Sequence, residues 1–343
     1  MKLSRVGIDL AKDVYQLHGV DRFGKMVWKR RLKRHQWLKV LLDKTDPGCV
    51  IGMEACGSAH HWGRELQSRG YTVKLIPPQF VKPYVKSNKS DAKDAEAICE
   101  AMSRPNMRFV TVKTVEQQDI QATHRIREEL KGRRTAKANQ IRGLVAEYGL
   151  VAPKHMSSLR AAIPCWLEDA ENGLTHYFRS LLHGLWDDLL MLDDRMCEMD
   201  KTIKRLAKDN EDCVRLQQLR GIGPMTSTAM IATVGDARQY HNSRQMAAGI
   251  GITPRQHSSG NKQRLLGISK RGDVYLRTLM IHGARSVVTG AKNKDDPLSR
   301  WVTEIAKRRH PNVAAVALAN KNARMAWAML RNKTDYDPDF AMS

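Results

Sequence analysis

The sequence lacks both a membrane-spanning segment and the pattern of a secretory signal. A transmembrane helix needs roughly 18 or more consecutive apolar residues, and no such run occurs among the 343 residues. The mean hydropathy is −0.50. Residues 1–5 lead directly into a strand-like segment, without an apolar core and a small-residue cleavage site. We therefore expect a soluble, cytoplasmic protein of two domains, with room for a linking element between them.

Cysteine pairs at metal-binding or redox spacing are also missing. The 6 cysteines are scattered, with no CxxC motif and no cysteine–histidine cluster at the spacing of a zinc finger. The adjacent His60 and His61 have no second cluster to complete a zinc site, and a histidine pair at a helix start explains them better. We expect reduced, mostly buried thiols and no zinc.

Acidic residues are scarce relative to basic ones. Lysine and arginine total 58 against 36 aspartate and glutamate, which gives a formal net charge of +22. Such an excess favours binding to phosphate backbones because bound counterions are released, and it does so without reading base sequence. A nucleic acid is therefore the expected partner, and a basic protein that binds none is the alternative.

Residues 1–112 are predicted to form an α/β domain with a mixed sheet. Three strand-like segments separated by turns indicate an antiparallel meander, over Arg5–Asp9, Val14–Val20 and Lys25–Arg31. A helix around 37–43 and two apolar strands with a helix between them follow, and crossover connections of this kind place parallel strands in the sheet. The two strands are predicted at Cys49–Met53 and Thr72–Ile76, and a further helix at Ala92–Met102.

Residues 113–212 are predicted to be a helical linker that binds RNA and joins protomers. The helix from Val115 to Tyr148 is strongly basic, and its candidate nucleic-acid-binding residues are Arg125, Arg127, Lys131, Arg133, Arg134 and Lys137. These side chains either follow a nucleic-acid backbone or form a solvated face supported by ion pairs one helical turn apart.

The next helix carries apolar residues in alternating steps of four and three, the spacing of a coiled-coil heptad. They are Phe178, Leu182, Leu185, Leu189, Leu192, Met196, Met199, Ile203 and Leu206. A seam this regular must pack against something, so it either folds back on the basic helix or pairs with another protomer. We favour pairing between protomers, which makes the protein a homo-oligomer.

Four carboxylates in the first region stand at positions that can converge. Asp9 interrupts the apolar pattern of the first strand, Glu54 follows a later strand, and Asp91 and Asp94 share a face at a helix start. Converging carboxylates repel one another unless a cation lies between them, and hard oxygen ligands select Mg²⁺ or Mn²⁺. Taken singly, each acid is also explained as a turn or cap residue. Their joint order resembles the RNase H-like nucleases, specifically the RuvC-like kind.

Residues 213–343 are predicted to form a mainly helical domain with two further elements. A glycine turn with Gly221 and Gly223 opens a small-residue helix, as in a helix-hairpin-helix, and brings backbone N–H groups near a phosphate. Downstream, Ser259 lies among cations that either activate it as a nucleophile or simply hold phosphate. These cations are Arg255, Lys262, Arg264, Lys270 and Arg271.

Over nearly its full length the sequence resembles the DEDD transposases of insertion sequences, the family numbered one hundred and ten, which are bridge-RNA-guided serine recombinases. The matching segments are Gly7–Lys12, Met53–Gly57, Lys89–Ala95, Leu219–Gly223, and Gly251–Arg255 with Ser259–Gly260. The resemblance implies a RuvC-like domain joined by a coiled coil to a smaller helical transposase domain. Dimers and tetramers would assemble around a structured non-coding RNA with donor and target DNA, and the protein would associate with the nucleoid when bound to DNA.

The resemblance also implies residue roles. Asp9, Glu54, Asp91 and Asp94 would bind Mg²⁺, and Ser259 would attack a DNA phosphate to form a covalent phosphoserine before strand exchange. Two positions depart from the family pattern: Cys56 replaces a common threonine, and Ser258 precedes Ser259 where a single serine is usual, so the nucleophile is either serine. Ser259 is preferred because a glycine follows it. The competing functions are a RuvC-like nuclease that uses water, and a nucleic-acid-binding protein whose acids are structural.

Overall fold

The computed structural model describes residues 2–85, 91–152, 154–259, 262 and 264–338. The chain forms two compact units. The first runs to Gln117 and includes Gly235–His241, and the second comprises Gln118–Val234 with the chain from Asn242 onward. The predicted limits at 112 and 212 stay predictions. No helix in the described ranges is long and apolar enough to cross a membrane.

The first unit contains a mixed five-stranded sheet in the order β3-β2-β1-β4-β5. The strands are β1 (Arg5–Leu10), β2 (Val14–Val20), β3 (Met26–Lys33), β4 (Val50–Glu54) and β5 (Thr72–Ile76). Strands β3, β2 and β1 are antiparallel, whereas β1, β4 and β5 are parallel. The predicted meander followed by crossovers is confirmed, with strand ends shifted by up to two residues.

Helices cover both faces of the sheet. They are α1 (Trp37–Lys44), α2 (Ala59–Gln67), the short α3 (Pro78–Val81) and α4 (Asp91–Ala101). Trp37, Leu41 and Leu66 of α1 and α2 pack in the same buried core as alternate residues of β1 and β4. Ile98 of α4 and Met102, the residue after its end, belong to a separate cluster. This double cover explains why β1 and β4 are apolar almost throughout.

The second unit begins with a long antiparallel pair of helices. Helix α5 spans Val115–Ala146, α6 spans Met156–Glu168 and α7 spans His176–Asp209. Of the heptad residues, Phe178, Leu182 and Leu189 are buried against α5 and α6 within the chain, and Leu192 and Met196 pack on Leu130 of α5. The seam therefore folds back on the basic helix. The preferred pairing of this seam between protomers stays a prediction, since the seam residues Phe178, Leu182 and Leu189 are buried within the chain.

The remaining helices pack around a buried, alanine-rich helix. They are α8 (Glu211–Leu216), α9 (Pro224–Val234), α10 (Ser243–Ile250), α11 (Val274–Gly290), α12 (Pro297–Arg308) and α13 (Pro311–Asn332). Small side chains on α13, such as Ala315, Ala319 and Ala323, are fully buried and let its neighbours approach closely. A two-stranded antiparallel hairpin, β6 (Pro254–Gln256) and β7 (Leu265–Ile268), lies between α10 and α11. The chain thus has an α/β N-terminal part and a mainly helical C-terminal part.

The cysteine prediction held in part. All 6 thiols are free, with Cys49, Cys99 and Cys213 buried and Cys165 and Cys197 exposed. Fewer thiols are buried than expected. Cys165 and Cys197 lie on the solvent-facing sides of α6 and α7.

Candidate functional site

Asp9 lies on the face of the sheet that α4 covers. Side chains alternate along a strand, and Val6 and Ile8 of β1 point into the core with α1 and α2. Gly7 and Asp9 therefore point to the opposite face. Gly7 confirms this, since a Cβ there would lie 2.3 Å from the carbonyl oxygen of Ala95 in α4. A glycine is required at that position because the helix backbone rests directly on the strand.

The same alternation places Glu54 on the α4 face of β4. Ile51 and Met53 belong to the core with α1 and α2, so Gly52 and Glu54 point the other way. A Cβ on Gly52 would lie 2.9 Å from the sulfur of Met102, just after α4. Since β1 and β4 are parallel neighbours with Ile8 opposite Met53, Asp9 and Glu54 are adjacent at the ends of two strands, on one face.

The pKa of the Cys56 thiol indicates that the carboxylates of Glu54 and Asp9 lie near it. Burial raises its pKa above the ordinary value, and the negative charges of Glu54 and Asp9 raise it further. The sequence flagged Cys56 only as a departure from a family pattern. Its position beside the acids follows from β4 ending at Glu54, after which the chain turns toward α2.

Helix α4, which packs on this face, contains the other two predicted acids. Asp94 is half-buried and directly precedes Ala95, the residue that rests on Gly7. Asp91 is the first residue of α4, and its side chain lies outside the described residues, as do residues 86–90. Among the side chains that the structure describes, no three histidine, cysteine, aspartate or glutamate groups form a metal cluster.

The donor set nevertheless suits a hard divalent cation. Two adjacent carboxylates lie on one sheet face, and the helix packed on that face brings a third acid on its first turn. All are oxygen donors, which Mg²⁺ and Mn²⁺ prefer.

The predicted serine lies at the end of an exposed hairpin. Ser259 forms an isolated antiparallel bridge with Lys262 beyond β6 and β7, and its carbonyl accepts a hydrogen bond from the Lys262 N–H at 3.2 Å. All three residues of β6 and three of the four in β7 are exposed. The neighbouring Ser258 hydroxyl accepts a hydrogen bond from the Gln256 amide at 3.0 Å.

The predicted cations of this region surround the hairpin and are solvent-exposed. None of the five takes part in the ion pairs found within the described ranges, namely Arg255, Lys262, Arg264, Lys270 and Arg271. Unpaired surface cations keep their full charge available to a phosphate backbone.

The base of the hairpin is fixed by two glycines that cross at contact distance. A Cβ on Gly251 would lie 1.8 Å from the carbonyl oxygen of Arg271, and one on Gly272 equally close to that of Gly249. The buried Arg277 holds the same crossing, donating to the carbonyl of Ile250 at 3.1 Å. A rigid base therefore supports an exposed end.

The predicted glycine turn joins α8 to α9, but its two glycines differ in the atoms that surround them. Gly221 packs against the backbone of Gly283 in α11, where a Cβ would lie 2.9 Å from the carbonyl oxygen. It is therefore needed for helix packing, and its predicted contact with a phosphate stays a prediction. A Cβ on Gly223 would meet nothing within 4 Å, although both glycines line a groove at this turn.

Most of the basic residues on α5 are engaged in ion pairs. Arg127 contacts Asp200 at 2.5 Å, Arg134 contacts Asp193 at 3.1 Å and Lys137 contacts Asp188 at 2.9 Å, all across to α7. Lys131 and Arg133 pair with Glu128 and Glu129 on α5 itself. Arg125 is exposed and forms no ion pair within the described ranges. The ion-paired face is thus the better description of this helix, and its binding to nucleic acid stays a prediction.

A buried polar network that the sequence did not reveal ties α5 to α9 and α11. The Thr228 hydroxyl donates to the carbonyl of Pro224 at 2.7 Å, so it accepts from Nε2–H of His124 at 2.9 Å. Nδ1 of His124 then accepts from the Tyr275 hydroxyl. Burial lowers the pKa of His124 to about 4 and so keeps the ring neutral. The partners of His124 lie 104 and 151 residues away in the sequence. No local sequence pattern therefore indicates this network.

Comparison with known proteins identifies the family of this chain. Residues 213–297 match the family described as "Transposase IS116/IS110/IS902 family", and residues 6–150 match the DEDD transposases of IS110, described as "Transposase". The two matches cover the sheet with its acids, and the glycine turn with the hairpin.

Relatives match over nearly the whole chain. A probable family 20 transposase of Pseudomonas aeruginosa is 50% identical over 98% of this chain and 100% of its own length. The transposase for insertion sequence element IS1111A of Coxiella burnetii is 49% identical over 96% of this chain and 90% of its own. That of IS1328 from Yersinia enterocolitica is 39% identical over 96% and 97%. The chain belongs to the IS116/IS110/IS902 family of insertion-sequence transposases, and is thus a DNA-rearranging enzyme.

Proposed function

We propose that this transposase cuts and rejoins DNA with a carboxylate-bound divalent metal and a serine nucleophile, at sites chosen by a structured guide RNA. The observation that carries the proposal is the placement of Asp9 and Glu54 side by side on the sheet face that α4 covers. By the family resemblance, Asp9 and Glu54 are two of the four acids of the DEDD pattern.

The N-terminal unit is proposed to be RNase H-like, of the RuvC-like kind. The strand order 3-2-1-4-5, with three antiparallel strands followed by parallel neighbours, supports this assignment. The heptad seam of α7 packed on α5 supports describing the long helices as an intramolecular coiled coil.

Asp9, Glu54, Asp91 and Asp94 are proposed to hold Mg²⁺ or Mn²⁺. When bound, such an ion polarises the phosphodiester and stabilises charge that develops on the leaving oxygen. The chain itself contributes rigid placement, because Asp9 and Glu54 extend from paired strands and Asp94 from a helix whose backbone rests on Gly7.

Ser259 is proposed as the nucleophile. Its oxygen forms a bond to the DNA phosphorus while the phosphodiester P–O bond breaks, and the hydroxyl proton ends on the released DNA oxygen. The product is a phosphoserine that keeps the energy of the broken bond for rejoining. The exposed hairpin end and its unpaired cations suit a group that must reach a phosphate. Ser258 is the less suitable candidate because its hydroxyl is bound to Gln256.

The partners are proposed to be donor DNA, target DNA and a structured non-coding RNA, bound by a dimer or a dimer of dimers. The cations around the hairpin, the exposed Arg125 and the open Gly223 are the proposed contacts.

Replacing Ser259 by alanine is expected to abolish a covalent protein–DNA adduct, whereas Ser258→Ala retains it. Adducts are trapped by denaturing a transposition reaction and resolved by gel electrophoresis with labelled DNA. The two variants are matched, because both serines are exposed neighbours on the same hairpin.

If Ser259→Ala still cleaves DNA at the wild-type rate, the enzyme is instead a RuvC-like nuclease that uses water. An adduct lost only in Ser258→Ala would move the nucleophile by one residue. If cleavage and its metal dependence survive Asp91→Asn, the metal-site proposal is wrong.

A further inference from the structure

A shallow groove of about 590 Å³ opens beside the end of β2 and β3 in the first unit. Its lining residues are Asp13, Val14, Lys33, Arg34, His35, His61 and Trp62. The groove is built by pairing: Val14 lies opposite Lys33 in the sheet, and the Arg34 N–H donates to the carbonyl of Asp13 at 2.9 Å. Its shape is therefore set by strand register.

One wall of the groove is a rigid aromatic cluster. The indole N–H of Trp62 donates to the Tyr15 hydroxyl at 2.8 Å, and the rings of Trp37 and Trp62 meet edge to face at 4.9 Å between centroids. His61 packs on the outer side of Trp62 at 4.7 Å and is exposed. Trp62 thus has its polar group satisfied internally and offers ring surface to the groove.

The other wall is cationic. Lys33 and Arg34 are exposed, and three further cations precede them on β3, namely Lys29, Arg30 and Arg31. Positive charge on an edge strand also prevents sheets from pairing edge to edge. That role does not extend to Arg34 and His35, which follow the end of β3 and still line the groove.

The groove is at the same end of the sheet as the paired carboxylates. Asp13 follows Asp9 by four residues, and Leu10 at the end of β1 pairs with Tyr15. His61 and Trp62 lie in the first turn of α2, which begins soon after Glu54. The groove and the acids therefore share one end of the sheet, with the acids on the face that α4 covers and α2 on the other face.

We propose that this groove holds an unpaired nucleotide, with its base against His61 and Trp62 and its phosphate at Lys33 and Arg34. Aromatic faces beside cations are the recurring means of binding single strands, since every base has a face to stack and every nucleotide a phosphate. Bases in a duplex are already stacked on one another, so the groove selects single-stranded segments. The inference rests on the proposed function for its purpose, as it orients the strand presented to Asp9 and Glu54.

The test is photocrosslinking of the full-length chain to oligonucleotides that carry iodouracil, in EDTA. Single-stranded DNA, single-stranded RNA and duplex DNA of one sequence are compared, and crosslinked tryptic peptides are identified by mass spectrometry. Both single strands, or either of them, are expected to crosslink to peptide 45–64, which contains His61 and Trp62. Their relative yields tell whether DNA or RNA is the preferred source of the strand.

The crosslink to that peptide is expected to fall roughly fivefold or more in Lys33→Ala/Arg34→Ala. The matched control is Arg22→Ala/Lys25→Ala, which removes the same charge from the opposite end of the β2–β3 hairpin and should keep the yield. Thermal melting verifies that both variants fold, and a Lys33→Gln/Arg34→Gln variant repeats the measurement with longer side chains.

Crosslinking only by duplex DNA, no crosslink in peptide 45–64, or equal loss in the control overturns the proposal. Because EDTA removes divalent ions, the result is independent of the metal and serine chemistry. If the crosslinking test fails, the proposed function is unaffected. If the serine or metal test fails, the crosslinking result can still be interpreted.

Discussion

Asp9→Asn is expected to reduce transposition by at least about 1000-fold, which corresponds to about 4 kcal/mol of transition-state stabilisation. The amide is almost the same size as the carboxylate but carries no negative charge, so it binds a divalent cation poorly. Asp9 extends from a central strand next to Glu54, and no flexible side chain can replace it at that position. A transposition assay with a marked element and the RNA supplied measures the effect.

The matched control is Asp43→Asn, the same change at an exposed position of α1 in the same unit. It should transpose at the wild-type rate. Asp9→Asn protein that folds normally and transposes within about tenfold of wild type would show that this carboxylate is not part of the metal site.

Gly251→Ala is expected to lower the free energy of unfolding by about 3 kcal/mol and to abolish strand transfer. Its φ is +83°, a conformation that L side chains rarely adopt, and the new Cβ would lie 1.8 Å from the carbonyl oxygen of Arg271. The crossing must open to relieve that overlap, which displaces the base of the hairpin and with it Ser259. Chemical denaturation measures the loss of stability, and the DNA adduct assay measures the loss of chemistry.

Gly267→Ala provides the comparison within the same hairpin. Gly267 lies in β7, and a Cβ there meets nothing within 4 Å. This variant should match wild-type stability within about 0.5 kcal/mol, since an open strand position tolerates alanine. If Gly251→Ala and Gly267→Ala lose equal stability and equal strand transfer, the contact at Gly251 is not what positions the hairpin.

The sheet and its acids were predictable from the sequence because their signals are local. The segment at 72–76 is a short, mostly apolar run that is terminated by the following Pro77. The structure has β5 at those residues. Asp9 and Glu54 each follow such a run, and parallel pairing necessarily brings strand ends together. The strand ends differ from the prediction by one or two residues: β1 and β4 each extend one residue further and β3 extends two.

Features that depend on distant partners were not predictable. The heptad pattern of α7 predicts an apolar seam but does not identify the surface against which the seam packs. In the structure, its buried residues pack on α5 and α6. The loop from Gly251 to Gly272 has turn residues but no periodicity, so its sequence did not predict the exposed hairpin. The glycine crossing at the base of the hairpin is held by Arg277 of α11, which is distant in sequence. The His124 network joins helices far apart in sequence.

Manganese binding to the full-length chain tests the central claim most directly. Free Mn²⁺ is followed by its paramagnetic resonance signal while wild-type, Asp9→Asn and Asp43→Asn proteins are titrated in turn. The metal-site proposal predicts a saturable site in wild type and Asp43→Asn, weakened at least about tenfold in Asp9→Asn. Equal binding by all three proteins, or no saturable site in wild type, would contradict it.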